Sequence, residues 1–173
     1  MKQLDFTPYK SKDDFRGNYK LHDLAEAAGK NLLIQWGIDF EEFGEDRRYS
    51  KVWEKGEDKP DLIITYRERD AFLDWKGKHK PKWILNKRAA DSYLKWSKKF
   101  HLPVLVAFFL FDDENRVADT RFANLNIHSF RECESEAWDK NRVVEFTTEL
   151  PEFKKHNLMK FCFDITETDT GAI

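Results

Sequence analysis

The chain has 173 residues, 40% hydrophobic and 36% charged, a balance that points to one folded, soluble domain and argues against a disordered chain. No apolar run approaches the roughly 18 residues of a membrane span. The net charge of −2 argues against a general polyanion binder. It is unevenly spread, however. Positions 76–100 carry nine Lys or Arg against Asp91 alone, so that window holds +8 and the remainder −10. A window of this kind sets up a local field that attracts phosphate backbones whatever the total.

The N-terminal "MKQLDFTPYK" lacks an apolar signal core, and the two cysteines, Cys133 and Cys162, have no CxxC spacing. Reduced thiols and a cytoplasmic location are the expectation. After an irregular start, Leu21, Leu24, Ala25, Ala28, Leu32 and Trp36 recur at helical spacing, and Gly37 ends the pattern. "EEFGEDRR" reads as a loop and Tyr49 to Lys55 as a strand. Leu62 to Tyr66 and Ala71 to Lys76, around "RERD", read as a hairpin. Pro81 precedes a second helix whose apolar face is Leu85, Ala89, Tyr93, Trp96 and Phe100. "VLVAFFLF" (Val104 to Phe111) is apolar throughout, as a strand buried on both faces is. Arg121 to Ile127, Arg142 to Leu150 and Leu158 to Ile165 read as further strands, with a helical turn near "ECESEAWD".

The chemistry concentrates in the hairpin. Side chains at i and i+2 of a strand share a face, so Phe72, Asp74 and Lys76 project together while Leu73 and Trp75 project oppositely. Asp61 opens the preceding strand, which brings its carboxylate near Asp74. Two neighbouring carboxylates repel unless a cation lies between them, and hard oxygen ligands suit Mg²⁺ or Mn²⁺. A metal there activates water and polarises a phosphoryl oxygen, and a nearby lysine stabilises the developing charge. The five histidines are scattered without metal-binding spacing, and no P-loop, GxGxxG or GxSxG is present. Trp53 and Trp83 are candidates for base stacking, with core packing the plainer reading of each.

"PD" at 60–61 followed by "DWK" at 74–76 across a strand–turn–strand resembles the motif of the PD-(D/E)XK nuclease superfamily, which includes type II restriction enzymes and archaeal Holliday junction resolvases. The resemblance covers about residues 21–111 of a single domain spanning 1–173. It implies an α/β, restriction endonuclease-like fold: an αβββαβ core with a mixed central sheet flanked by helices, here with C-terminal β-rich additions. It further implies Asp61 and Asp74 as metal ligands, Lys76 as the catalytic lysine and Glu26 as the first-helix carboxylate. The Gln-x-x-x-Tyr of the recombination-exonuclease branch is missing, Asn86 and Tyr93 being the nearest residues.

A Mg²⁺-dependent DNA endonuclease is therefore the expectation, with RNA sharing the same phosphate chemistry. Lys78, Lys80, Lys82, Lys87, Lys95, Lys98 and Lys99 are the expected backbone contacts. The alternative is a nucleic-acid-binding or assembly protein without catalysis on the same fold. Cutting both strands takes two sites, which a homodimer supplies; Phe161 and Phe163 beside Met159 form a face that either serves it or closes the monomer's own core.

Overall fold

The computed structural model describes residues 12–44, 58–134 and 142–165. In chain order the elements are α1 (Lys12–Gln35), β1 (Asp39–Glu42), β2 (Leu62–Tyr66), β3 (Arg69–Lys78), β4 (Ile84–Asn86), α2 (Lys87–Phe100), β5 (Val104–Phe111), β6 (Val117–Asn124), β7 (Phe130–Glu134), β8 (Arg142–Phe146) and α3 (Lys155–Phe161). The main sheet runs β1-β2-β3-β5-β6, and a second sheet runs β4-β8-β7. Only the β3–β5 pair of the main sheet is parallel. A parallel pair needs a long crossover, and α2 lies within it. The fold is thus mixed α/β with the expected αβββαβ order in its core.

The hairpin forms where it was expected, turning through Arg67 and Glu68 at φ 50° and 65°. That is the pair of left-handed residues a two-residue hairpin turn demands. Strand β5 is almost wholly buried because each sheet face is covered. Leu105, Ala107 and Phe109 meet Trp75, Leu33 and the α3 residues Leu158 and Met159 on one side. Val104, Val106 and Phe108 meet Phe72, Ala90 and Tyr93 of α2 on the other. No described helix is long and apolar enough to cross a membrane.

Several expectations change. The first strand of the sheet is Asp39–Glu42, an exposed edge with no apolar alternation; the segment from Tyr49 to Lys55 lies outside the described residues, as does Trp53. Leu85 belongs to β4 and not to the second helix, which begins at Lys87 behind the Asn86 cap. Glu132 to Glu134 of "ECESEAWD" are the end of β7, the rest being outside the described residues. Leu158 to Ile165 is not a strand. Its first half completes α3, and Leu158, Met159, Phe163 and Ile165 close the chain's own core, which removes the dimer face read there. Short apolar runs satisfy helical and strand periods alike.

Candidate active site

The site lies where β2 stops and β3 continues. Leu62 is paired with Leu73, and beyond that register β3 has no strand partner on this edge among the described residues. Pro60, without an N–H, cannot extend the ladder. The Asp61 side chain takes over: the Trp75 N–H donates to its Oδ2 at 2.9 Å. The Asp61 carbonyl in turn accepts from Phe43 and Gly44 at 2.9 and 3.2 Å, which fixes the backbone of the "PD" step.

Alternation along β3 then divides the side chains. Trp75 and Gly77 face α1 at close range: a Cβ on Gly29 would come within 2.2 Å of the Trp75 ring, and one on Gly77 within 2.4 Å of the Leu21 carbonyl oxygen. Asp74 and Lys76 face the other way, toward α2. Asp74 is 3% exposed. Lys76 Nζ lies 2.9 Å from Asp74 Oδ2, an ion-pair distance without the alignment of a hydrogen bond, so this buried oxygen has no hydrogen-bond partner among the described residues. Burial and then the Asp61 charge push the Asp74 carboxyl up to about 7. The Tyr93 hydroxyl lies against the same carboxylate; burial, with the charges of Asp74 and Asp61, holds its pKa well above the usual phenol range.

Asp61 goes the opposite way. Burial raises its pKa, but the bonds from His22 and the Trp75 N–H, with the charges of His22 and Lys76, outweigh that and keep it low. For Lys76 burial pulls down, and the two aspartates more than offset it, leaving a firmly charged ammonium. His22 reaches Asp61 Oδ2 with Nε2 at 3.3 Å, and this bond foremost raises its pKa.

Asp61, Asp74 and Lys76 are therefore brought together. Glu26 stands apart from them in its bonding: Lys30, one turn along α1, pairs with it at 2.7 Å and also holds Glu42. His22, Asp23 and Glu26 offer ligand atoms within 4.8 Å of one another on α1. Lys78 is bonded to the Ile84 carbonyl at 3.1 Å, and Lys87 is paired with Asp91 and Glu132. Lys80, Lys82, Lys95, Lys98 and Lys99 are exposed.

Two residues of the cluster were not singled out from sequence. In the sequence Tyr93 fits the apolar face of the second helix and stands nearest to the tyrosine of the missing Gln-x-x-x-Tyr, neither of which places it at the aspartates. His22 was dismissed with the other histidines, although it lies one turn from Glu26 on the same face of α1.

No family model matches the chain, and no curated protein matches its sequence. Among solved structures the chain is similar to Hjc, a Holliday junction resolvase from the archaeal hyperthermophile Archaeoglobus fulgidus, with a TM-score of 0.48 and 14% identity over 70% of this chain and 85% of that one.

The donor set fits a hard divalent cation. Two carboxylates converge, one is driven toward protonation by burial and by the other's charge, and a buried carboxylate oxygen lacks a hydrogen bond among the described residues. A cation bound by both relieves all three.

Proposed function

We propose that the chain is a metal-dependent nuclease that hydrolyses phosphodiester bonds in DNA, with Asp61 and Asp74 as ligands of Mg²⁺ or Mn²⁺. The observation that carries this reading is the buried Asp74 oxygen without a hydrogen bond, facing Asp61 and flanked by the Lys76 ammonium. A divalent ion at such a pair lowers the pKa of bound water and polarises the phosphoryl oxygen.

The chain's own groups supply the rest. Lys76, held charged and part-exposed, offers an N–H to the phosphate oxygens as negative charge develops. The Trp75 N–H and His22 fix one oxygen of Asp61 and so orient its carboxylate. Tyr93, buried in α2, stands in the field of Asp74 and Asp61. The exposed lysines of α2 and of the segment before it hold the phosphate backbone without reading sequence. A two-fold dimer would bring two such sites to the two strands.

Labelled linear duplex, nicked duplex, four-way-junction DNA and single-stranded RNA, each incubated with Mg²⁺, with Mn²⁺ and with EDTA, test this reading. Cleavage is expected with either metal, none with EDTA, and none from Asp74→Ala. An Asp74→Ala protein that cuts at the wild-type rate sinks the assignment. A wild-type chain that binds every DNA and cuts none leaves the binding-protein alternative.

A further inference from the structure

The β3 face that carries Asp74 and Lys76 also carries Phe72, and Phe72 opens onto an aromatic cluster at the C-terminal end of α2. Phe100 meets Phe72 edge-on at 5.7 Å, and Phe43 meets Trp96 edge-on at 5.2 Å. Trp96 and Phe100, one helical turn apart, are stacked at 5.6 Å with 15° between their planes. Phe100 nevertheless remains 46% exposed. Ammonium groups lie over this pair. Lys99 Nζ is 5.1 Å from the Trp96 ring and 5.7 Å from the Phe100 ring, and Lys59 Nζ is 5.5 Å from Trp96. Among the described residues, no carboxylate pairs with Lys59, Lys95, Lys98 or Lys99.

An aromatic pair with one half-exposed ring and ammonium groups over its faces selects its ligand on two counts. The rings call for a flat apolar surface, and the lysines call for negative charge. An unpaired nucleotide meets both, its base stacking on the rings and its phosphates on the ammonium groups. Duplex DNA meets only the second, because its bases are already stacked on one another.

The location bears on the substrate. Tyr93 borders Asp74, and the helical rise from Tyr93 to Phe100 is about 10 Å. That is about three base steps along a strand. Lys59 is two residues from Asp61. We infer that Trp96 and Phe100, with Lys59 and Lys99, form a stacking platform for unpaired bases beside the cleavage point, so that the substrate class is DNA with a single-stranded segment next to the scissile phosphate. The position relative to that phosphate rests on the nuclease reading; the choice of ligand does not.

The full chain in EDTA, titrated by fluorescence anisotropy, provides the test. The labelled DNAs are a blunt duplex, that duplex with a short oligothymidylate tail, and that duplex with an abasic tail of equal length. The thymidylate tail is expected to bind about tenfold tighter than the abasic one, which keeps the phosphates and lacks the bases. Phe100→Leu, which keeps apolar volume and removes the π-face, is expected to erase that difference and leave the other two DNAs unaffected. Equal binding of the two tails by the wild-type chain, or no binding at all, overturns the platform whether or not the chain cuts DNA. An equal loss on all three DNAs in Phe100→Leu overturns it too. A thymidylate preference that Phe100→Leu abolishes supports the platform, even if Mg²⁺-dependent cleavage is absent and the nuclease reading fails.

Discussion

Replacing Asp74 by Asn should stabilise the metal-free chain while disabling its chemistry. Burial and the Asp61 charge raise the Asp74 carboxyl from 3.8 to about 7. At about 1.4 kcal/mol for each factor of ten in proton affinity, that shift amounts to about 4 kcal/mol of destabilisation once the group is ionised in the fold. The substitution also takes from Lys76 its nearer counter-ion. Because that ammonium is 32% exposed and retains Asp61, the net gain falls to about 2–3 kcal/mol. Against a typical total stability of about 5–15 kcal/mol, this is a large effect for one atom exchange.

The pH dependence distinguishes this cause from a mere packing change. Between about pH 4 and pH 7 the folded chain holds a proton on Asp74 that the unfolded chain has released, so wild-type stability falls as pH rises through this window. Asn has no such slope. Its advantage is expected to be small near pH 4 and complete above about pH 7. Urea unfolding of both proteins in EDTA across that range measures it. Added Mg²⁺ should then stabilise the wild type by mass action and leave Asp74→Asn nearly unmoved. A difference that is constant with pH, or an Asn protein less stable than wild type above pH 7, refutes the reasoning.

Gly77→Ala sets a Cβ 2.4 Å from the Leu21 carbonyl oxygen, and rigid backbone has little room to yield. A loss of about 1–3 kcal/mol in urea unfolding is expected. Converting Lys95, Lys98 and Lys99 to Gln should weaken DNA binding for all sequences and lower the slope of log affinity against log salt by about 0.9 per lost phosphate contact; an unchanged slope shows them merely solvated. His128 accepts the Asn124 N–H at 2.8 Å through Nδ1, and burial lowers its pKa from 6.5. Stability linked to it is complete above pH 6.5 and lost as pH falls toward the lower folded value, so His128→Gln should flatten that part of a melting-temperature profile.

The hairpin, β5 and α1 were legible in the sequence because burial writes itself into those segments. "VLVAFFLF" has both faces covered, and the stripe through Ala25 and Leu33 packs on one side of the sheet. Strand β1 was not legible: "DFEE" is an outer edge with polar residues toward solvent, so it carries no apolar period. Leu85 fits the helical spacing of Ala89 and Tyr93, yet it belongs to β4, where pairing with Val144 of β8 decides its conformation. That partner is 59 positions away, and no local rule contains it. In the site, Asp61, Asp74 and Lys76 could be read because strand alternation and a short turn are local geometry. The bond from His22 to Asp61 crosses 39 positions, and it depends on how closely α1 approaches β3.

That approach also explains why core and site are specified together. Trp75 and Gly77 fit against α1 only because Gly29 offers no side chain to the first and Gly77 offers none to Leu21. A one-residue slip of β3 would turn Trp75 toward α2 and bury Asp74 and Lys76 among the apolar residues of α1. The indole packing thus holds the register that aims the acid and the lysine toward Tyr93. The Trp75 backbone N–H, on the same residue, fixes Asp61 from the open edge. One buried tryptophan therefore fixes both aspartates, Asp74 through the alternation of the strand and Asp61 through a hydrogen bond that β2 leaves free by ending at Leu62.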